Sequence, residues 1–218
     1  MNTVDEPCLC DIVRSKSVTA WRETNVAAVA LNQICDVQMG YSFRAGLEPK
    51  PMGPVGVIQM KDLRDDHVVD LGGLARTDMD VRANSRAREN DIVFRSRGDR
   101  ATCAIVAADP GCAVVAAPLL RIRVTDDRVL PAYLNWYINQ ASAQAHLGRQ
   151  AEGSYVKMIS KRALEGLEVE VPSLDRQRGI AELAALSDRA RRLDAQASAL
   201  RERMLADIMM TFARRTTE

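Results

Sequence analysis

The sequence predicts a mixed α/β fold: a β-rich globular part over residues 26–172, followed by one long C-terminal coiled-coil helix over residues 173–218. Short apolar, β-branched segments separated by Gly and Pro turns predict the strands. An apolar pattern at helical spacing, without proline from residue 176 to about 215, predicts the helix. Hydrophobic residues make up 47% and charged residues 27% of the 218 residues, as in an ordinary globular protein.

Residues 1–60 predict an arm, a helix, a loop and a strand, in that order. Residues 1–25 lack a regular pattern and are interpreted as an N-terminal arm. Residues 27–37 carry apolar side chains at helical spacing and predict a helix that ends near Gly40. Two glycines and three prolines in residues 44–54 predict a loop, and the alternation over residues 55–60 predicts a strand.

Apolar runs bounded by turns predict four further strands: 91–96, 103–108, 114–124 with an interruption at Pro118, and 167–171. In the last of these, Glu168 and Glu170 alternate with apolar residues, as on the solvent face of an edge strand. Residues 157–167 predict a short helix or turn. A longer helix is predicted from Pro131 to about Leu147, with an apolar face of Leu134, Ile138, Ala141 and Ala145.

The C-terminal region carries a heptad pattern. Seven apolar residues, which we call the heptad seam, recur at spacings of three and four: Leu183, Leu186, Ala190, Leu193, Ala197, Leu200 and Met204. After Met204 the phase shifts, because Asp207 stands where an apolar residue is due and Ile208 takes over. A single long helix cannot bury such a stripe against itself, so the seam predicts a partner helix.

Charge and cysteine usage limit the classes of function. The net charge is +1, so bulk charge gives no argument for nucleic acid, although residues 82–100 hold six arginines against three acidic residues. Five unevenly spaced cysteines and two histidines predict neither a disulfide framework nor a zinc site, and Cys8 and Cys10 are only a weak candidate for a soft metal ion. No secretory segment and no apolar run of about 18 residues is present, so we expect a cytoplasmic protein without a membrane partner.

Catalytic motifs are absent from the sequence. It contains no P-loop, no glycine-rich cofactor turn after a strand and no nucleophile elbow. The segment 109–111 lacks the second proline and the aromatic residue of a methyltransferase loop. We therefore expect a protein that is not an enzyme and holds no cofactor.

An ordered series of short motifs carries a family resemblance: residues 31–43 (LNQICDVQMGYSF), 57–63 (VIQMKDL), 89–98 (ENDIVFRSRG), 119–123 (LLRIR), 130–134 (LPAYL), 153–156 (GSYV), 159–160, 164–167 (LEGL) and 171–180 (VPSLDRQRGI). Each motif is short, but their order and spacing cover residues 26–215. Together they resemble the target-recognition domain and following helix of type I restriction–modification specificity (S) subunits. One departure is Asn90, where that family usually has Gly, and Asn tolerates the left-handed turn conformation.

The resemblance implies a DNA-binding, non-catalytic specificity subunit that reads one half of a bipartite site on double-stranded DNA. It implies a DNA methyltransferase (M) partner, which holds S-adenosylmethionine, and a motor–nuclease (R) partner, in a phage-defence restriction system. The usual subunit has two recognition domains and two long helices, whereas this sequence has one of each. A homodimer through the heptad seam would restore that arrangement and read an inverted repeat.

Candidate DNA-contacting residues lie in loops and at strand ends: Tyr41, Arg44, Lys61, Arg64, Arg82, Arg86, Arg88, Arg97, Arg100, Tyr155 and Lys157. Arginine and lysine bind phosphates without regard to sequence, and base-edge contacts supply specificity. Arg97 and Arg100 are expected to contact phosphate rather than select bases. Sequence specificity is expected in the irregular loops at residues 41–54, 64–88 and 148–157.

Two other functions fit the same sequence. The chain could be a stand-alone DNA-binding regulator with the same domain, or an interaction protein that binds a methyltransferase without DNA. A regulator needs only a dimer seam, whereas a specificity subunit needs a second helical face, for which the candidates are Ile180, Leu205, Ile208, Met209 and Phe212.

Overall fold

The computed structural model describes residues 26–43, 46–98, 101–153 and 157–214. This part of the chain forms β1 (Ala28–Ala30), α1 (Leu31–Ile34), β2 (Cys35–Met39), β3 (Val55–Ile58), β4 (Ala75–Thr77), β5 (Ile92–Arg95), β6 (Cys103–Ile105), β7 (Ala113–Val115), β8 (Leu119–Val124), α2 (Pro131–Ile138), α3 (Ala141–Arg149), α4 (Lys161–Glu165), β9 (Glu168–Glu170) and α5 (Leu174–Arg214). The predicted β-rich α/β fold followed by one long helix is confirmed. Its pairing as a coiled coil stays a prediction.

The central sheet has four antiparallel strands in the order β2-β8-β5-β6. Strand β5 is buried on both faces, which explains its continuous apolar run. Ile92 and Phe94 pack into the main core with the helices, whereas Val93 packs into a second cluster with Ile58 on the other side. The predicted strand at residues 91–96 is therefore the centre of the domain.

A second sheet has three strands in the order β4-β3-β7, with β3 antiparallel to β4 and parallel to β7. The predicted strand at 114–124 proves to be two strands in two different sheets. The chain changes sheet at residues 116–118, where the Ala117–Pro118 peptide bond is cis. Strand β4 had not been predicted, because only three residues of a polar region form it.

The helix predicted over residues 27–37 is wrong, since only the four residues of α1 are helical there. On either side the backbone pairs with distant strands: β1 with β9, and β2 with β8. Within β2, Cys35 and Val37 are buried and Asp36 is exposed, which is the alternation of a strand. Pairing with distant segments has overridden the local helical spacing.

The helix predicted from Pro131 to Leu147 is divided into α2 and α3. Asn139 ends α2 and binds the edge of β6: its Oδ1 accepts from the Cys103 N–H at 3.0 Å, and its Nδ2 donates to the Cys103 carbonyl at 3.0 Å. The break changes the helical phase. Leu134 and Ile138 are buried as expected, but Ala141 and Ala145 are exposed, and Ala143 and Leu147 take their places.

Helix α5 has 41 residues and is about 60 Å long at 1.5 Å per residue. It follows directly on β9, whose Glu168 and Glu170 are exposed and whose Val169 is buried, as predicted for an edge strand. The division of the chain into domains at residues 172 and 173 stays a prediction.

Candidate nucleic-acid interface

The segment 82–88, which carries three candidate arginines, is fixed to the central sheet by two arginines of β8. Arg121 Nη1 donates to the carbonyls of Asn84 at 3.0 Å and Arg86 at 3.2 Å. Arg123 Nη2 donates to the same Arg86 carbonyl at 3.1 Å. The buried Ala87 adds a backbone hydrogen bond to the Ala113 carbonyl at 2.8 Å. The backbone of this segment is therefore anchored along its length.

The two anchoring arginines have different electrostatic environments. Arg121 is only 3% exposed, and burial followed by the nearby Arg123 lowers its pKa, with Asp36 as a counter-charge at 3.2 Å. Arg123 binds the buried Asp91 with two hydrogen bonds of 2.7 Å, and this bonding raises its pKa. Each guanidinium thus has a carboxylate partner, although Arg121 Nε is buried without a hydrogen-bond acceptor among the described residues.

The arginine side chains that this segment presents are Arg82, Arg86 and Arg88, and all three are exposed. None of them forms an ion pair or a side-chain hydrogen bond with another residue in the described part of the chain. Arg88 contributes only its backbone N–H, which donates to Asp91 Oδ2 at 2.8 Å. Exposed guanidinium groups on a fixed backbone are suited to contact phosphates.

Tyr41 lies beside this segment, at the end of β2. A notch of about 120 Å³ is lined by Tyr41, Ser85 and Arg121, among others. The Tyr41 ring also contacts Phe43, with centroids 4.9 Å apart. Gly40 is required at this bend, because a Cβ there would approach the Ala116 carbonyl carbon to 2.6 Å.

The backbone segments that carry Arg97 and Lys157 pair at a second place. Gly98 donates its N–H to the Lys157 carbonyl at 3.2 Å, and Ile159 donates its N–H to the Ser96 carbonyl at 2.8 Å. The side chains of Arg97 and Lys157 are both exposed. Gly98 has a φ of +113°, a conformation that favours glycine, as expected for the turn after β5.

Arg95, the last residue of β5, differs from the exposed Arg97. Its Nη2 donates to the Met60 carbonyl at 2.9 Å, so its guanidinium binds the neighbouring segment of the domain. Asn90, at the turn before β5, has a φ of +68°, as expected for a left-handed position. The strand and its turns are thus scaffold.

Lys61 and Arg64 line a cleft of about 690 Å³ that α5 borders with Arg191 and Arg192. Arg64 Nη2 lies 3.3 Å from Asp66 Oδ2. The remaining candidates, Arg44, Arg100 and Tyr155, lie outside the described residues, as do Cys8, Cys10 and the arm at residues 1–25.

The heptad seam lies on the side of α5 that faces away from the globular part. Gln177, Ile180, Ala184 and Asp188 are at least partly buried and mark the side that faces the domain. At about 100° per residue the seam lies roughly opposite to these residues. Its large side chains are 54–69% exposed: Leu183, Leu186, Leu193, Leu200 and Met204.

One of the five residues predicted for a second helical face is wrong. Ile180 packs against the main core at the base of α5, so it belongs to the domain contact. Leu205, Ile208, Met209 and Phe212 are exposed in this chain. An apolar surface therefore continues past the seam towards the end of the helix.

Arg121, Arg123 and Asp91 hold the segment 82–88 of the candidate interface, yet sequence reasoning did not identify them as a group. The available signal was two arginines at alternate positions of the apolar strand LLRIRV. Such a pattern puts both side chains on one face of β8. Among the described residues, no three His, Cys, Asp or Glu side chains come together as a metal site would require, and none of the described helices has the length and apolarity to cross a membrane.

No protein-family model and no curated protein matches the chain. Solved structures, in contrast, do match the chain. A type I restriction-modification system S subunit from M. genitalium matches with a TM-score of 0.50 and 17% identity, over 81% of this chain and 42% of that one. The HsdS subunit from Thermoanaerobacter tengcongensis matches with a TM-score of 0.54 and 18% identity, over 83% of this chain and 40% of that one.

A third match comes from a structure on complex assembly and conformational transition of the type I R-M system. It has a TM-score of 0.62 and 16% identity, over 90% of this chain and 49% of that one. This chain spans less than half the length of each of the three. The arrangement of a mixed β-rich domain and a long helix is thus the fold of type I restriction-modification S subunits.

Proposed function

We propose that this chain is the DNA-recognition subunit of a type I-like restriction–modification or related phage-defence system. The observation that carries the proposal is the S-subunit fold, which extends over 90% of the chain in one comparison. The exposed arginines of segment 82–88 support it, because the fold presents them on an anchored backbone. The chain would read one half of a bipartite site.

In this proposal the chain itself is not an enzyme and holds no cofactor. A methyltransferase subunit brings S-adenosylmethionine and performs the chemistry, and a motor–nuclease subunit adds cleavage. The chain selects the DNA sequence and positions the partner on it. Arg82, Arg86 and Arg88 would contact phosphates and set the register, and residues of the loops at 41–54, 64–88 and 148–157 would contact base edges.

We further propose that two copies associate through the heptad seam. The seam is apolar and exposed, and it lies on the side of α5 away from the domain, so a second helix can bind without displacing the globular part. A second copy presents the same seam, and small Ala190 and Ala197 allow close approach of the two helices. Two-fold symmetry would put two recognition domains on an inverted-repeat site.

The exposed apolar residues beyond the seam favour a specificity subunit over a stand-alone regulator. A dimeric regulator needs one apolar side on α5. Leu205 and Met209 are 57% and 64% exposed and lie off the seam, where a methyltransferase subunit could bind.

A gel shift with random-sequence duplex DNA at low salt tests the proposal. We expect the full-length chain to bind non-specifically, with an affinity that falls steeply as salt rises. If the chain binds a methyltransferase but shifts no duplex at low salt, it is an interaction protein and the proposal is wrong.

A further inference from the structure

Two polar contacts hold helix α5 to the globular part, in addition to the packing of Ile180 against the main core. The first is Gln177, which is fully buried. Its Oε1 accepts from the Leu130 N–H at 2.8 Å, and its Nε2 donates to the carbonyls of Arg128 and Pro172 at 2.8 Å each. The bonds to Leu130 and Arg128 fix the base of the helix to the segment before α2, and the bond to Pro172 closes the start of the helix itself.

The second point is an ion pair between Arg192 and Asp66. Arg192 Nη1 donates to Asp66 Oδ2 at 2.5 Å. Arg192 lies 15 residues after Gln177, so the two points are about 22 Å apart along the helix axis. Because the two contacts are separated along the helix, together they restrict the angle between α5 and the domain.

The acceptor of this ion pair is held rigidly. Asp66 sits in a tight turn, where Arg64 donates its N–H to the Val68 carbonyl at 3.2 Å and His67 donates its N–H to the Arg64 carbonyl at 3.1 Å. The His67 carbonyl accepts from Asn135 Nδ2 of α2 at 3.2 Å and from the Ile105 N–H at 2.9 Å. The Asp66 side chain is 11% exposed, so water screens the pair only partly.

Between these two contacts α5 packs only loosely on the domain, with Ile180, Ala184 and Asp188 partly buried. A cleft of about 430 Å³ remains between α5, α2 and the Asp66 turn, and the helix lines it with small side chains such as Ala181, Ala184 and Ala185. Beyond the ion pair, every residue from 198 to 214 is exposed. The ion pair is therefore the outermost contact between α5 and the domain among the described residues, and it acts on the direction of α5 with the longest lever.

We propose that Asp66 and Arg192 are a positioning pair that sets the angle between α5 and the DNA-reading domain, and with it the spacing between the two half-sites. This proposal rests on the proposed function, in which two domains are joined through their α5 helices. A small change of angle at the base is magnified along a helix of 41 residues. Without the ion pair, the domains would accept half-sites at neighbouring spacings.

The test compares Arg192→Gln and Asp66→Asn with the control Arg178→Gln, in cells that co-express the full-length chain and its methyltransferase. Arg178 bonds to Asp175 within α5, so the control removes the same charge and an ion pair without touching the domain contact. Genome-wide mapping of methylated sites gives both the half-site sequences and the spacer length. We expect the wild type and the control to modify one spacer length.

For both variants of the pair we expect modification of sites one base pair longer or shorter to be about two- to fivefold more frequent than in the wild type. For Arg192→Gln, which lies outside the base-contacting loops, we also expect unchanged half-sites. A wild-type spacer preference in both variants would overturn the proposal. A change in the half-site sequences in Arg192→Gln, with the spacer unchanged, would also overturn it, because it would place Arg192 in base recognition.

Hydrogen exchange of the free full-length chain tests the anchor without DNA. We expect the amides of residues 181–195 to exchange about two- to fivefold faster in Arg192→Gln than in the wild type or the control. Equal exchange would show that the ion pair does not hold the helix. If the wild type directs no methylation although exchange responds as expected, the proposed function fails and the anchor stands.

Discussion

Arg123 binds both carboxylate oxygens of Asp91 at 2.7 Å, and the same guanidinium donates to the backbone carbonyl of Arg86 at 3.1 Å. A residue of the central sheet thus connects the buried start of β5 to the exposed arginine segment. Asp91 is 1% exposed, so its carboxylate is buried beside this cationic partner. The ion pair between Arg123 and Asp91 therefore contributes to the stability of the domain and also holds the backbone of the candidate interface in place.

Replacing Arg123 tests this link. We expect Arg123→Met to lower the free energy of unfolding by about 3 kcal/mol, because it leaves the Asp91 carboxylate buried with only a backbone N–H as donor. Urea unfolding measures the change. The control Arg178→Met breaks an exposed pair with Asp175 and should change stability by less than about 0.5 kcal/mol. Equal effects of the two substitutions would contradict the account.

The second prediction concerns DNA affinity. Arg86→Gln should weaken binding to every duplex sequence alike and lower the slope of log K against log salt by about one, because one phosphate contact is lost. Fluorescence anisotropy across a salt series measures both quantities. The same measurement is made with single substitutions of Arg82, Arg86 and Arg88. If none of them changes the affinity or the salt slope, segment 82–88 is not part of the interface.

The third prediction concerns alkaline pH. Tyr133 is 2% exposed, and burial, reinforced by Tyr137 and Glu170, raises its pKa well above that of an unfolded tyrosine, which is about 10. Its contribution to stability is therefore complete below about pH 10 and is lost as the pH rises towards the folded pKa.

Tyr133→Phe isolates this contribution. The substitution should cost about 1 kcal/mol at pH 7, because it removes the 2.7 Å hydrogen bond from the hydroxyl to the Glu170 carbonyl. Above pH 10 the difference from the wild type should shrink, by at most about 1.4 kcal/mol per pH unit. Urea unfolding from pH 7 to pH 11 measures it, and a constant difference over that range would refute the assignment.

The fourth prediction concerns association. Leu193 is 54% exposed in the middle of the heptad seam, so Leu193→Arg should convert a dimer into a monomer while the domain stays folded. Glu202→Arg introduces the same side chain on roughly the opposite side of α5 and should leave the dimer intact. Analytical ultracentrifugation measures whether each variant is a monomer or a dimer. A wild-type chain that is monomeric both alone and with a methyltransferase would contradict the proposed dimer.

The sequence predicted the elements whose signal is local. Strand β5 has a continuous apolar run between turns, and α5 has a heptad pattern without proline, so each could be recognised from its own residues. The segment 27–37 was assigned wrongly, because its strands exist only through pairing with β8 and β9. A periodicity within one segment carries no information about such partners.

The candidate interface was predictable only in part. The excess of arginine at residues 82–100 is visible in the sequence. The different environments of the individual arginine side chains are not. Arg95 binds the Met60 carbonyl, whereas Arg86 is exposed, and this difference depends on contacts between residues more than 30 positions apart. The same holds for Asp66 and Arg192, which are 126 positions apart.

The central claim is that this chain selects the DNA sequence that a partner methyltransferase modifies. Sequencing of methylated bases in cells that co-express the methyltransferase with and without the chain tests it most directly. We predict that the chain adds one modified motif, an inverted repeat of two half-sites with a fixed spacer. An identical methylation pattern with and without the chain would contradict the claim.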